Sequence, residues 1–419
     1  MSDVDAYKWI VGEPPPTLHV HSLAKHSVLE AYLTRYVEVL TIDPRIDVLR
    51  LDIVDGMSGG GQYTRADNGD ICDGSPLIFL RALRAVEAKL NLVRRKEFRI
   101  DCRFFFVDKN PDNISYLKML ISQSEFSKEL GESIICIDGD FQSHSDKLIK
   151  LISQKTKGGR SIFLLDQYGY KDVPLNLLRR IFSSLPRAEI LLTFGTDALI
   201  QYLNDSEEYR KILSNLGIGP DLLSDLANSR HVKMWRYLVQ SHLSRSLSAN
   251  SGADYFTPFF IRSRESNRAY WFIHLSKHAK ARDEMVKVHW LHHNNFIHYG
   301  GAGLHMLGYD PASDDELTNQ PAFEFDSSAK ETSINTMLED LVRIVHSREE
   351  MSFELLIEET ANDSPATSEM FKSTLGELSI QGDIKIITPK GQERRSSAQI
   401  SNQDLIVAEK QTFFDFKKR

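Results

Sequence analysis

Short apolar runs, each closed by an acidic residue, recur through the first half of the chain. Val48, Leu49, Leu51, Ile53 and Val54 form the first, and Asp55 ends it. Residues 101–107 (DCRFFFV) form a second before Asp108. Residues 133–137 form a third before Asp138, and 161–165 a fourth before Asp166. Residues 188–194 (AEILLTF) make a fifth. Continuous apolar runs of this length predict strands buried on both faces. Helical spacing separates them: Leu23 to Leu40, a segment opening at Ser75-Pro76, about 112–130, a helix from about Ser145, and a short one after Pro174. Ser75 fits an N-cap and Pro76 the first helical position. The polar residues of the first helix, His21, Lys25, His26 and Arg35, read as a solvated face, with the ligand side as the alternative.

Strand alternating with helix predicts an α/β fold with a parallel sheet covered on both sides. Ligands bind such sheets at the carboxyl ends of the strands. Here that edge collects Asp55, Asp108, Asp138 with nearby Asp140, and Asp166. After Asp55 come Gly56, Gly59, Gly60 and Gly61, a composition that permits a tight turn and close backbone approach. The stretch is not a dinucleotide fingerprint, because Thr64 stands where the third glycine belongs and no acidic residue follows at the required distance. No Gly-Lys-Ser/Thr follows the first strand, which excludes a P-loop.

The helical region 196–249 leads to two aromatic, β-branched runs, 255–263 and 268–276, which read as an antiparallel hairpin. A helix over about 279–290 follows. Residues 291–330 are rich in His and Gly. His289, His292, His293, His298 and His305 match no metal-ligand spacing, so a loop over the ligand edge is the preferred reading and no metal is expected. From about Glu331 three helices (332–346, 353–361, 366–381) precede two short strands, 383–387 and 404–408. That is the plan of a winged helix. The loop between the strands carries Lys390, Arg394 and Arg395, candidates for contact with nucleic acid or a partner. The third helix holds one Lys and two Glu, a poor set for phosphates. The domains expected are a lead-in (1–18), the sheet domain (19–290), a connecting loop (291–330) and the winged-helix-like domain (331–419).

Composition narrows the picture. The net charge of -7 over 419 residues excludes a whole-molecule basic field. Three cysteines are too few for a disulfide framework, and a reducing cytoplasmic setting is expected. No run is long and apolar enough to span a membrane.

The motifs HSLAKH (21–26), DGMSGGG (55–61), GSPL (74–77), FFVDKN (105–110), LLDQYGY (164–170) and YWFIHLSKH (270–278) together resemble the bacterial three-Cys-motif partner proteins. The resemblance runs from about His21 to the end. It implies a Rossmann-like, seven-stranded class I methyltransferase sheet plus a C-terminal winged-helix-like domain, S-adenosylmethionine as cofactor, and a three-cysteine partner protein. Under it, Asp55, Gly56, Gly59 and Gly61 hold the methionine end, Asp108 the ribose, and Asp138 or Asp140 the adenine. Asp166 and Tyr168 form the transfer centre, with an amine or nucleic-acid base as acceptor. Gln167 departs from the family pattern, which tends to place Pro after this Asp. The alternative is a non-catalytic module of the same fold that works with a partner, for example in phage defence. A metal-dependent hydrolase is the weaker third reading.

Overall fold

The computed structural model describes residues 7–18, 20–155, 160–167, 171–195, 206–217, 246–262, 269–292, 327–362, 366–394 and 396–409, with a few short pieces between. The chain divides into two compact units, Met1–Ile297 and His298–Arg419.

The first unit is built on seven strands. A short strand β1 (Thr17–Leu18) precedes helix α1 (Val20–Leu40) and the central strand β2 (Val48–Asp55). A hairpin of β3 (Gln62–Arg65) and β4 (Ile71–Asp73) follows, then α2 (Ser75–Val93), β5 (Arg99–Asp108), α3 (Pro111–Ser122), β6 (Ile134–Asp138), α4 (Phe141–Lys155), β7 (Ser161–Leu165), α5 (Leu175–Ser184) and β8 (Ala188–Phe194). Helix α6 (Glu207–Asn215), the strands β9 (Tyr255–Arg262) and β10 (Ala269–Ser276) and helix α7 (Ala279–Leu291) complete it. The large sheet runs β6-β5-β2-β7-β8-β10-β9, and β10 alone is reversed, antiparallel to both of its neighbours. That is the class I methyltransferase arrangement, with β2 in the middle of five consecutive parallel strands and the reversed β10 one place in from the edge. Strands β7 and β8 are buried along their whole length, as continuous apolar runs require when helices cover both faces.

Several boundaries differ from the sequence reading. Helix α2 starts at Ser75 itself, and Gly74 is its N-cap with no side-chain bond. Helix α3 stops at Ser122 rather than near Leu130. Its last carbonyls are taken by Gln123 and Ser124, and a 3-10 turn at Ser127–Glu129 carries the chain on. Helix α4 begins at Phe141, where Asp140 accepts from the amide of Ser143 at 3.0 Å and caps it. The β3–β4 hairpin was not expected: it has little apolar periodicity, and β1 completes it as a third strand.

Helix α1 is not a solvated face. Its buried side meets the sheet through Val28, Leu29, Tyr32, Leu33, Tyr36 and Val37. Tyr32 donates to Glu189 of β8 in the core, and His274 of β10 lies 3.0 Å from the same Glu189 oxygen. Arg35 pairs with Glu284 of α7 at 2.5 Å. The polar residues of α1 therefore register the helix against three elements.

The second unit contains a helix (Ser327–Arg348), a strand (Glu350–Ser352), a helix (Phe353–Thr360), a third helix (Ser368–Gln381) and two more strands (Ile384–Ile387, Leu405–Ala408). The last strand lies between the other two, antiparallel to both. Ser352 and Thr367 cap the second and third helices through their hydroxyls, and Gly382 ends the third in the left-handed conformation. This is a winged helix with one strand more than the sequence showed. Most of 291–330 lies outside the described residues. No helix among the described residues is long and apolar enough to cross a membrane.

One buried ion pair tests how the first unit is held. Arg103 of β5 makes two bonds, 2.7 and 2.9 Å, to Asp52 of β2, which is 1% exposed. Removing one partner strands the other charge. Arg103→Met should cost about 3 kcal/mol or more in urea unfolding, while Asp52→Leu with Arg103→Met should recover most of it. A single variant as stable as the wild type would show the pair is not structural.

Candidate functional site at the carboxyl edge

Four adjacent strands, β6, β5, β2 and β7, bring four aspartates to one edge. Asp138, Asp108 and Asp55 end their strands, and Asp166 directly follows β7. Each carboxylate is accommodated differently. Asp108 faces inward: Oδ2 accepts the Gly59 amide at 2.8 Å, and Oδ1 accepts from the Asn110 amide at 2.9 Å and the Asn113 side chain at 3.0 Å. A carboxylate offers about four acceptor directions, so one is left. Asp138 and Asp140 are exposed, and Asp140 is engaged as the α4 cap.

Asp166 is met by Lys25 of α1, whose ammonium lies 2.7 Å from both carboxylate oxygens. Burial alone would raise the Asp166 carboxyl. The Lys25 charge and hydrogen bonds outweigh burial and hold it below its ordinary value. His26 is next to this pair. Burial first, then the Lys25 charge, lower its imidazole to about 4, so it is neutral near pH 7.

Asp55 has no such partner. It is fully buried, Oδ1 accepts weakly from the Met57 amide at 3.3 Å, and Oδ2 has no hydrogen bond. Burial raises its carboxyl to about 7, against a smaller opposing effect from Ser75. Other polar atoms left without a hydrogen bond lie along the same edge: His26 Nδ1, Asn113 Oδ1, Gln167 Nε2 and Thr193 Oγ1. Buried polar groups are normally satisfied; among the described residues five exceptions, Asp55 Oδ2 included, lie at this edge and six more on β9, β10 and α7.

The glycine turn is shaped by its neighbours. Gly59 and Gly61 have φ of +60° and +88°, which side chains disfavour. A Cβ on Gly56 would sit 2.8 Å from Leu165, and on Gly61 2.7 Å from Leu117. Gly59 and Gly60 face the indole of Trp9. Tyr63 of β3 stands among these groups: burial, then Asp166, Tyr7, Asp55 and Asp108, push its phenol well above the ordinary value. Trp9 and Tyr63 are neighbours of this edge that sequence reasoning missed, and Lys25 and His26 lie at it as the less favoured alternative had it. The HSLAKH motif and the three consecutive glycines were the available signals.

Gln167 Oε1 accepts from the amides of Asp172 at 3.0 Å and Val173 at 3.2 Å, which ties residue 167 to 172–173. Tyr168 lies outside the described residues, as does Arg395 in the wing. Lys390 is exposed at the wing turn. Arg394 makes a two-pronged pair with Asp404, at 2.7 and 3.0 Å, and Asp404 is fully buried. Two of its donor nitrogens are thus committed to packing. Among the described residues no group of three His, Cys, Asp or Glu is placed to hold a metal ion.

Residues 308–391 match the family described as the GMT-like wHTH domain. No curated protein matches the chain. Among solved structures it is similar to protein LPL1258 from Legionella pneumophila, with 9% identity, 60% of this chain and 84% of that one covered, and a TM-score of 0.35. It is similar to the N-terminal domain of human METTL16 in complex with SAH, with 11% identity, 60% and 70% coverage, and a TM-score of 0.29. It is also similar to a putative class I S-adenosylmethionine-dependent methyltransferase from Listeria monocytogenes, with 7% identity, 60% of each chain covered, and a TM-score of 0.28. Likeness this slight leaves the strand order as the ground for the fold class.

Two outcomes follow from these charges. Between pH 3.8 and about 7 the unfolded chain has released the Asp55 proton and the folded chain holds it, so this group's contribution falls as pH rises. Asp55→Asn should remove that loss, about 4 kcal/mol across the window, and make the variant more stable than wild type at pH 8. Denaturation at pH 4.5 and 8 measures it; identical pH dependence in both proteins would place Asp55 in an ordinary environment. In the second unit, Arg394→Ala should lower the melting temperature of the winged helix and leave the salt slope of any nucleic-acid binding unchanged. A reduced slope with normal melting would make Arg394 a phosphate contact.

Proposed function

We propose that the carboxyl edge of the first unit binds S-adenosylmethionine and that the chain is a methyltransferase acting on a nucleic-acid base or another amine. The observation that carries this reading is Asp55. A fully buried carboxylate with one oxygen lacking a hydrogen bond, at a glycine turn ending the central strand, is costly to the empty protein and suits a ligand ammonium. The free acceptor direction of Asp108 suits a ribose hydroxyl.

The cofactor supplies a methyl group on a sulfonium, ready for in-line displacement. The protein's part is placement. Asp55, with Gly56, Gly59 and Gly61, holds the amino-acid end. Asp166, kept ionised by Lys25, accepts from the N–H of the incoming amine and orients it. Its lowered pKa makes it an acceptor of hydrogen bonds rather than a base. Gln167 is tied to residues 172–173, and Tyr168 is assigned to stacking the acceptor ring. Lys390 in the wing is left to contact nucleic acid.

A second reading rests on the second unit. From His298 to Arg419 there are 12 Lys and Arg against 22 Asp and Glu. The outer face of the third helix shows Glu369, Ser373, Glu377 and Ile380, the last 88% exposed. An acidic face with an exposed isoleucine favours contact with a protein, so the chain would be an interaction module working beside a partner, as the three-Cys-motif resemblance implies.

Isothermal calorimetry with S-adenosylmethionine and its demethylated product separates the two. The methyltransferase reading expects binding, a loss of at least about tenfold in Asp55→Asn, and near-normal affinity in Asp166→Ala. That last variant should fail to pass labelled methyl groups to nucleic acid or protein in a cell extract. Absence of heat with either ligand hands the function to the interaction module.

A further inference from the structure

The glycine turn that the proposed cofactor needs is already covered by the chain's own N-terminal segment. Trp9 is 3% exposed, and its ring lies on Gly59 and Gly60 so closely that a Cβ on Gly59 would come within 2.7 Å of Cη2. Its Nε1 donates to the Gln62 carbonyl at 2.6 Å. Tyr7, Trp9 and Tyr63 stack against one another with ring centroids 5.1–5.9 Å apart, and His26 lies 6.0 Å from Tyr63. Rings at these separations are packed shut, with no gap for a ligand between them.

The segment has two parts with different anchorage. Residues 15–18 are stitched to the β3–β4 hairpin: Thr64 donates to the carbonyls of Pro15 and Pro16, Ala66 donates to that of Leu18, and β1 pairs with β3. Residues 10–13 form a local turn, with Glu13 N–H donating to Ile10, and Ile10 and Val11 are 45% and 54% exposed. The stiff Pro14–Pro16 run joins the parts. The stitched half fixes the base, and the half beyond it reaches the glycines through Trp9.

We propose that residues 7–13 are a strap that closes the glycine turn, and that a ligand gains this turn only when Trp9 leaves it. The proposal rests on the cofactor reading above. It gives a reason for Gly59 and Gly60 to carry no side chain where the occupant is an indole. Gly59 and Gly60 accept the closed strap, and the same bare backbone accepts a ligand when the strap lifts. The unsatisfied Asp55 Oδ2 is the group that rewards the exchange.

The apparent affinity of a ligand for a site that is open only part of the time falls by the open fraction. Trp9→Ala should therefore speed association of the demethylated cofactor product in stopped-flow by about tenfold and tighten its dissociation constant by a similar factor. Trp9→Phe keeps a ring on the glycines but loses the bond to Gln62, and it should fall between, which covers the case where the alanine variant folds poorly. In the wild type, the same ligand should raise hydrogen exchange at amides 8–13 and leave that of the 15–18 strand unchanged. Unchanged or slower association in both variants, in a protein that binds, overturns the strap and makes Trp9 a wall of the site. No binding by wild type or variants overturns the cofactor reading and the strap together.

Discussion

Buried negative charge at the carboxyl edge of the sheet is the constraint on which the rest of this structure turns. Topology brings four aspartates to neighbouring strand ends, and like charges so placed cannot all stand ionised and dry. Asp108 is neutralised in effect by two amides and an asparagine. Asp166 is matched by Lys25, which ties helix α1 to the end of β7. Asp138 and Asp140 stay in water. Asp55 alone has neither cation nor full hydrogen bonding, and it holds its proton to about pH 7. Two of these solutions are internal and one uses solvent, which leaves Asp55 buried without any of them.

That edge also organises its surroundings. The Gly59 amide is drawn to Asp108, which sets the turn and lays Gly59 and Gly60 open to Trp9. Lys25 and Tyr32 lie two turns apart on one side of α1, so the helix that supplies the Asp166 cation also carries the phenol bonded to Glu189 in the core. Site and core are thus registered by one helix. The second unit is a separate piece of chemistry. Its basic wing loop spends Arg394 on a buried aspartate, and its third helix turns acidic residues outward.

Much of the sheet was legible because its strands are buried on both faces and end in aspartate. Residues 161–165 and 188–194 are strands over the expected spans, and the expected hairpin is present with arms Tyr255–Arg262 and Ala269–Ser276. The winged helix was legible from its order of elements. What failed has common causes. Lys25 on a helix looks like any solvated lysine until its half-buried partner, 141 positions on, is known. Arg394 looks like a phosphate contact until Asp404 folds beneath it. Trp9, in a proline-rich lead-in, gives no periodic signal, and its place on the glycines is a tertiary fact. Helix α3 ends short of the expected Leu130 because the backbone tightens into a turn after Ser122, which no residue type there announces.

Proton release on ligand binding tests the central claim most directly. If Asp55 is the anchor, a cationic amine takes the ionised form of a group titrating near pH 7, and binding must expel a proton. Calorimetric titration of S-adenosylmethionine in two buffers of different ionisation enthalpy should show release of up to about one proton at pH 6. Affinity should weaken by up to about tenfold for each pH unit below 7. Binding with no proton exchange and no pH dependence between 6 and 8 would contradict the account.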